Sequence, residues 1–208
     1  MQYYMMRYIL FFLMLIISIS SCSTNKGMKT IDPRVADLTD EEIFNITAQP
    51  KDFPLVLRRT TLIVRDVSNS LKLYRDAMGM EVIYDNILKR PRKDGKEGTQ
   101  DLRLVFLKAT HEYYGVLGLL EYYYGENREE KEVRKEGFTA QNVVLLFNSQ
   151  NAEEKLDVIR QVPGIEMFSE PELVEYPTAD GGKVRVMVCT FYDPDGFLVE
   201  FNELLDEL

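Results

Sequence analysis

Tryptophan is absent from this 208-residue sequence, and cysteine and histidine are scarce, at two residues and one. The two cysteines, Cys22 and Cys189, cannot build a disulfide framework, and no CxxC redox or metal motif occurs. Basic residues are also in deficit, with 25 Lys and Arg against 34 Asp and Glu and a net charge of −9. This acidity argues against nucleic acid as a partner and against adsorption to anionic lipid, because both attract basic surfaces.

Glycine and proline are few as well, at 12 and 8 residues, whereas 45% of the residues are hydrophobic and 11% are aromatic. A chain of this composition can bury a core and is not disordered. Its length suits one domain with appendages.

Charged side chains are missing from the first 25 residues except at Arg7, and Tyr8–Ile19 is an almost uninterrupted apolar run. The run is short for a membrane-spanning helix, which needs about 20 apolar residues, but it fits a secretory signal. It ends in Ile19-Ser20-Ser21-Cys22, which resembles the lipobox of bacterial lipoproteins. The resemblance implies a signal peptide over residues 1–21, cleaved before an acylated Cys22.

Lipidation at Cys22 predicts a protein of the cell envelope, anchored in the membrane through its N-terminal lipid, on the periplasmic or extracellular face. Ser23 stands where Asp would indicate inner-membrane retention, so the outer membrane is favoured if the envelope has two membranes. The alternative is an uncleaved N-terminal anchor, which also holds the domain outside the cytoplasm. Residues 22–53 are polar and aperiodic and are predicted to be a tether, with the compact domain at 54–208.

The compact domain repeats one order of elements, strand-helix-strand-strand-strand. The first copy is predicted at Leu55–Val64, a helix from Asp66 to Gly79, Met80–Tyr84, Leu102–Lys108 and Val116–Tyr124, with a charged, solvated loop at Lys89–Gln100. The second is predicted at Asn142–Phe147, a helix at Asn151–Gln161, Ile165–Phe168, Val184–Phe191 and Phe197–Asn202, with a tight turn at Asp193-Pro194-Asp195-Gly196. Cys189 lies in an apolar strand, where a buried and inert thiol is expected.

Two segments of this pattern resemble the vicinal-oxygen-chelate superfamily, which includes glyoxalases, bleomycin-resistance proteins and dioxygenases. Leu57–Met80 (LRRTTLIVRDVSNSLKLYRDAMGM) is similar to the opening of these proteins, and Tyr192–Phe201 (YDPDGFLVEF) to their closing hairpin. The resemblance implies an α+β fold of two βαβββ modules, forming a curved, mostly antiparallel eight-stranded sheet around a concave pocket. In the family the modules pair within one chain or across a dimer, so a homodimer is one of two expected arrangements.

The metalloenzymes of this family hold a divalent metal with four residues, typically His, Glu, His and Glu. By position these fall on Arg59, Gly118, Asn142 and Glu200. Arginine cannot lose its proton to bind a metal, glycine has no side chain and an Asn carbonyl is a weak ligand, so only Glu200 is retained. No cofactor is therefore predicted, and a divalent metal is the alternative.

Two other residues are candidates to replace the missing metal ligands. Glu121 would serve if the Gly118 register were wrong by three, but alternation along a strand turns it to the opposite face. His111 lies in a polar turn, where a single histidine is more often solvated than ligating.

Strand alternation predicts a pocket with apolar walls and a few polar groups, as is usual for a small-molecule site. Its predicted lining is Arg59, Thr61, Gly118, Leu120, Tyr122, Asn142, Val144, Glu200 and Asn202, with free room beside Gly118. One hypothesis pairs Arg59 with Glu200 as a structural ion pair. The other gives Arg59 a carboxylate or phosphate of a ligand, oriented by Glu200.

The tyrosines at 113–114 and 122–124 fit either a stacking platform for a planar ligand or ordinary packing. The predicted function is metal-independent binding of a small molecule, as in antibiotic-sequestering members of the fold. The alternative is a metal-dependent glyoxalase-type lyase or dioxygenase, and Glu200 is the candidate general base of any catalytic activity.

Overall fold

The computed structural model describes residues 54–125, 132–179 and 181–206. The predicted signal peptide and tether lie outside these ranges. No helix within them is long and apolar enough to cross a membrane.

The elements are β1 (Arg59–Ile63), α1 (Val67–Leu71) continued by a π-helical segment (Lys72–Ala77), β2 (Glu81–Pro91), β3 (Thr99–Lys108), β4 (Val116–Tyr122), β5 (Val144–Asn148), α2 (Ala152–Ile159), β6 (Glu166–Pro177), β7 (Lys183–Tyr192) and β8 (Leu198–Leu204).

The strands form two four-stranded sheets, in the orders β1-β4-β3-β2 and β5-β8-β7-β6. Each sheet has one parallel pair, β1 with β4 or β5 with β8, and its other pairs are antiparallel. The predicted α+β class and the two βαβββ modules are confirmed. The eight strands are divided between two sheets rather than joined in one.

The first helix begins where the sequence predicts. Asp66 is its N-cap, and its carboxylate accepts the backbone N–H groups of Ser68 and Asn69 at 2.8 and 3.3 Å. The helix then widens to π-helical geometry, and the N–H of Met78 reaches the carbonyl of Leu73, five residues back, at 2.9 Å. Gly79 follows with φ of +85°, the left-handed conformation that ends helices.

Several strands are longer than predicted. β2 runs to Pro91 and β3 begins at Thr99, so both ends of the predicted loop 89–100 are paired strand. β6 likewise extends to Pro177, nine residues beyond the predicted Phe168. These extensions are mostly exposed and rich in charged residues, so they lack the buried apolar alternation that marks a strand in sequence. Their stability comes from main-chain pairing with the neighbouring strand, which is not visible in the sequence.

One hydrophobic core spans both modules. The first module contributes residues such as Leu73 and Tyr74, both 0% exposed, and the second contributes Ile159 and Phe191, also 0% exposed. The Tyr74 ring lies 6.4 Å from that of Phe147 on β5. Burying this apolar surface stabilises the contact between modules at roughly 25 cal/mol per Å².

The duplication is visible in a repeated helix contact. The carboxylate of Glu121 on β4 accepts the N–H of Val67, the first residue of α1, at 3.1 Å. Glu203 on β8 accepts the N–H of Ala152, the first residue of α2, at 3.0 Å. Each carboxylate satisfies a helix N–H that has no partner inside the helix and lies at the positive end of the helix dipole.

The predicted Asp193-Pro194-Asp195-Gly196 turn is confirmed. It links β7 to β8 in the second module and bonds side chains of the first module. The N–H of Gly196 donates to the carbonyl of Asp193 at 3.0 Å, with φ of +88° at the glycine. The buried Asp193 carboxylate accepts the Tyr74 hydroxyl from the first module at 2.8 Å. Asp195 pairs with Arg65 at 2.8 Å. The family-like closing hairpin therefore also holds the first helix in place.

Candidate functional site

A cleft of about 240 Å³ lies between β1 of the first module and β5 of the second. Its walls come from the start of β1, the start of β4 and most of β5. Apolar side chains of Leu57, Val116, Val144 and Leu146 alternate with the polar and charged groups of β1. Leu146 is 56% exposed, so this apolar wall is accessible to a ligand. The cleft is smaller than the 300–1,000 Å³ typical of drug-sized sites.

Together with the adjacent Arg58, Arg59 supplies the charged groups that line this cleft. Its guanidinium lies over the ring of Phe106 on β3, 4.1 Å from the ring centroid. Its Nε donates to the Thr61 hydroxyl at 2.9 Å. Partial burial and the charge of the adjacent Arg58 lower the pKa of Arg59, but arginine remains protonated in proteins. Stacking and the Nε bond hold the guanidinium in one orientation.

Gly118 makes this position of Arg59 possible. It pairs with Thr61 on β1 and with Phe106 on β3. A Cβ at position 118 would lie 2.8 Å from Thr61 Oγ1 and 2.9 Å from Arg59 Cδ, closer than real Cβ contacts. The expected free room beside Gly118 is therefore a misprediction, because the Arg59 side chain occupies it. The two changes from the family's ligand pattern, at positions 59 and 118, are one structural arrangement.

The predicted residues of the second module form a separate polar group on β8. The Asn202 amide donates to Glu200 at 2.7 Å, and Asn202 Oδ1 is buried with no hydrogen-bond partner among the residues that the structure describes. Thr190 on β7 pairs in register with Glu200 and is 3% exposed. Asn142 is engaged locally, since its amide donates to the Gly137 carbonyl at 2.7 Å.

The hypothesis of an Arg59–Glu200 ion pair is wrong in this structure. Among residues 54–125, 132–179 and 181–206, Arg59 contacts Thr61 and Phe106, and no carboxylate lies within 4.0 Å of its guanidinium. Glu200 is bonded to Asn202 instead. The strand register predicted from the sequence could not exclude the Arg59–Glu200 ion pair. The directions of these side chains depend on how the two sheets pack against each other.

Neither replacement metal ligand joins the four positions. Glu121 faces the helix, as alternation predicts, and accepts the N–H of Val67 at 3.1 Å. His111 is bonded within its own turn, where Nδ1 accepts the N–H of Tyr113 at 2.9 Å, and its ring stacks on Tyr114 at 4.2 Å. Within the described ranges no three His, Cys, Asp or Glu residues cluster as a metal site.

The residues at the four family positions do not fit a divalent metal. A guanidinium cation lies where the first and second ligands would converge, and it would repel a second cation. The remaining carboxylate, Glu200, is held by Asn202 at 2.7 Å. A metal site normally needs about three protein ligands, and this arrangement offers one.

Sequence reasoning missed the aromatic support of Arg59. Phe106 on β3 stacks on Tyr84 of β2 with ring centroids 4.9 Å apart. The alternation of β3 could have placed Phe106 on the Arg59 face, but the predicted pocket lining comes from β1, β4, β5 and β8 alone. The rings of Tyr122 and Tyr124 meet edge to face, with centroids 5.4 Å apart.

The two βαβββ modules match the vicinal-oxygen-chelate fold. A glyoxalase family protein from Bacillus cereus is similar over 76% of this chain and 100% of its own, with a TM-score of 0.55 and 15% identity. That likeness shows the fold alone.

Further solved structures match less well. Trypanothione-dependent glyoxalase I of Leishmania major covers 72% of this chain and 86% of its own, at 20% identity and a TM-score of 0.43. The fosfomycin resistance protein FosX of Listeria monocytogenes, solved with Mn(II) and sulfate, covers 73% of this chain and 93% of its own, at 16% identity and a TM-score of 0.41. No family model matches the sequence, and no curated protein matches it.

Proposed function

We propose that this protein binds a small molecule in the cleft between β1 and β5 without a metal. One observation carries the proposal: Arg59 lies across Gly118, so two of the four family metal positions now form a rigid cationic group. The Lewis acid that would stabilise an enediolate or activate oxygen has one suitable ligand, Glu200.

We also propose that the binding domain is displayed from the cell envelope through a lipid on Cys22. The support is the apolar run Tyr8–Ile19 followed by Ile-Ser-Ser-Cys. Metabolic labelling with a radioactive fatty acid tests it, with Cys22→Ser as the control. Label that persists in Cys22→Ser, or a wild-type protein that carries none, contradicts the anchor.

Metal content tests the proposed function directly. The purified protein is incubated with Zn²⁺, Mn²⁺ or Ni²⁺, freed of excess ion and measured by elemental analysis. We expect far less than one equivalent in the wild type. A matched positive control restores the family pattern, with Arg59→His, Gly118→Glu and Asn142→His in one chain. This variant is expected to gain metal, because four donors replace one.

The alternative function, a metal-dependent lyase or dioxygenase, predicts the opposite result. About one equivalent of transition metal in the wild type, lost in Glu200→Gln, would support it and exclude the metal-independent proposal. A wild type that binds no metal but converts a glyoxalase substrate would leave Glu200 as a general base and would also contradict a binding-only role.

A further inference from the structure

We propose that the ligand carries an oxyanion, a carboxylate or a phosphate, which Arg59 binds through its two Nη groups, with an apolar body seated in the β1–β5 cleft. This inference rests on the proposed function and names the chemical class of its ligand. It follows from the orientation of Arg59, the charges around it and the walls of the cleft.

The orientation of Arg59 leaves one edge of the guanidinium available. Nε is used by Thr61 at 2.9 Å, and one face of the group lies on Phe106 at 4.1 Å. Within the ranges that the structure describes, neither Nη atom has a hydrogen-bond or ion-pair partner. The parallel N–H groups of a guanidinium match the two oxygens of a carboxylate or phosphate. Because the side chain is already held, little further entropy is lost when the anion binds.

The surrounding charges favour an anion over a cation. Arg58 is adjacent and also cationic, and it lies over the ring of Tyr113 at 4.7 Å. Other arginines of this fold have acidic partners, as Arg103 does with Asp85 at 2.8 Å and Arg65 with Asp195 at 2.8 Å. Arg59 has none among the described residues. A half-buried cation without a counter-ion is unusual in a protein of net charge −9, and an anionic ligand would neutralise it.

The walls of the cleft define the rest of the ligand. Leu57, Val116, Val144 and Leu146 supply apolar surface to the cleft that Arg59 also lines. The volume of about 240 Å³ admits a single ring or a short branched chain beside the oxyanion. Neutral polar ligands gain no charge-assisted hydrogen bond from Arg59. Highly charged ligands would lose the hydration of their charges when they contact the apolar wall of the cleft. A small monoanion or dianion with an apolar body fits best.

Isothermal titration of the purified protein with three probes tests the inference. Benzoate carries the carboxylate, phenyl phosphate carries the phosphate, and benzamide has the same ring without a charge. We expect benzoate or phenyl phosphate to bind at least tenfold more tightly than benzamide. The stronger of the two anions identifies the head group. For benzoate, affinity should fall at a pH below the pKa of the probe, since the neutral acid loses the charge-assisted bonds.

Variants assign the effect to Arg59. Arg59→Met should weaken the preferred anion at least tenfold and leave benzamide unchanged, because Met keeps most of the side-chain volume. Arg59→Lys should bind the anion with an affinity between those of wild type and Arg59→Met, since it keeps the positive charge but loses the two parallel N–H groups. Gly118→Ala keeps the charge but displaces Arg59 from Thr61, so it should also weaken anion binding. Arg92→Met, which removes an arginine of the β2–β3 hairpin that does not line the cleft, is the matched control and should bind like wild type. Circular dichroism confirms that each variant is folded.

The outcomes separate this inference from the proposed function. Benzamide binding equal to that of both anions would leave metal-independent binding in place and overturn the oxyanion assignment. Anion binding that is unchanged in Arg59→Met would overturn it as well. A stoichiometric metal in the wild type would overturn the proposed function itself. Anion binding lost in Arg59→Met and Gly118→Ala, but kept in Arg92→Met, supports both.

Discussion

Asp193 should make the stability of this protein fall as the pH rises from about 4 to 6. Its carboxylate is 0% exposed and accepts three hydrogen bonds, from the Tyr74 hydroxyl at 2.8 Å and from the N–H groups of Asp195 and Phe197 at 2.9 Å each. Burial, assisted by the charge of Asp195 and opposed by these hydrogen bonds, raises its pKa from 3.8 to about 6. Asp195 itself is paired with Arg65.

The sign and size of the effect follow from linkage. A carboxyl group whose pKa is raised on folding binds its proton more tightly in the folded state. Its contribution is therefore most favourable below pH 4, where both states are protonated, and is lost as the pH passes through the folded pKa of about 6. A raise of about two pKa units corresponds to about 3 kcal/mol of unfolding free energy.

Urea denaturation followed by circular dichroism between pH 4 and 7 measures this change. Other groups also titrate in this range, so the comparison is between wild type and Asp193→Asn, which stays neutral. The variant should gain about 2–3 kcal/mol relative to wild type as the pH rises from 4 to 7. Asp94→Asn is the control, because Asp94 is on an exposed hairpin and its pKa is lowered to about 2. A difference between Asp193→Asn and wild type that does not change with pH would refute the reasoning.

Three further predictions concern the buried polar groups and the helix contacts. Asp85→Ala should lower the unfolding free energy by about 3–5 kcal/mol in urea denaturation, because it leaves the Arg103 guanidinium buried without its carboxylate; a loss below about 1 kcal/mol would contradict this. Cys189, 0% exposed and with a pKa raised by burial to about 11, should resist alkylation at pH 8 until urea is added, as peptide mass spectrometry would show. Glu203→Ala should cost about 0.5–2 kcal/mol and speed hydrogen exchange at Ala152 and the following helix, and an unchanged exchange rate would exclude the capping role.

Most of the element order could be predicted because it depends on local physics. The Asp66 cap, the Gly79 stop and the Asp193–Gly196 turn each rely on a side chain or a φ angle within a few residues. The buried, apolar part of each strand was visible from its composition. The π-helical segment at Lys72–Ala77 was not, because it depends on how the helix packs against the second module.

The candidate site shows the same difference between what local residue chemistry predicts and what depends on tertiary packing. Side-chain chemistry alone showed that Arg59 and Gly118 are not metal ligands, since that conclusion needs only residue types and register. It did not show that the two positions act together. The overlap of a Cβ at position 118 with Arg59 depends on atoms from two neighbouring strands.

By itself, the sequence determined the order of elements in the two βαβββ modules, the acidic charge and the lack of a metal-ligating side chain at positions 59 and 118. These follow from periodicity, composition and the chemistry of single side chains. Only the tertiary structure decided where Arg59 points, that Phe106 supports it and that Glu200 bonds to Asn202 instead. Side-chain direction at a site shared by two sheets depends on contacts between residues distant in the chain, and no local pattern encodes those distances.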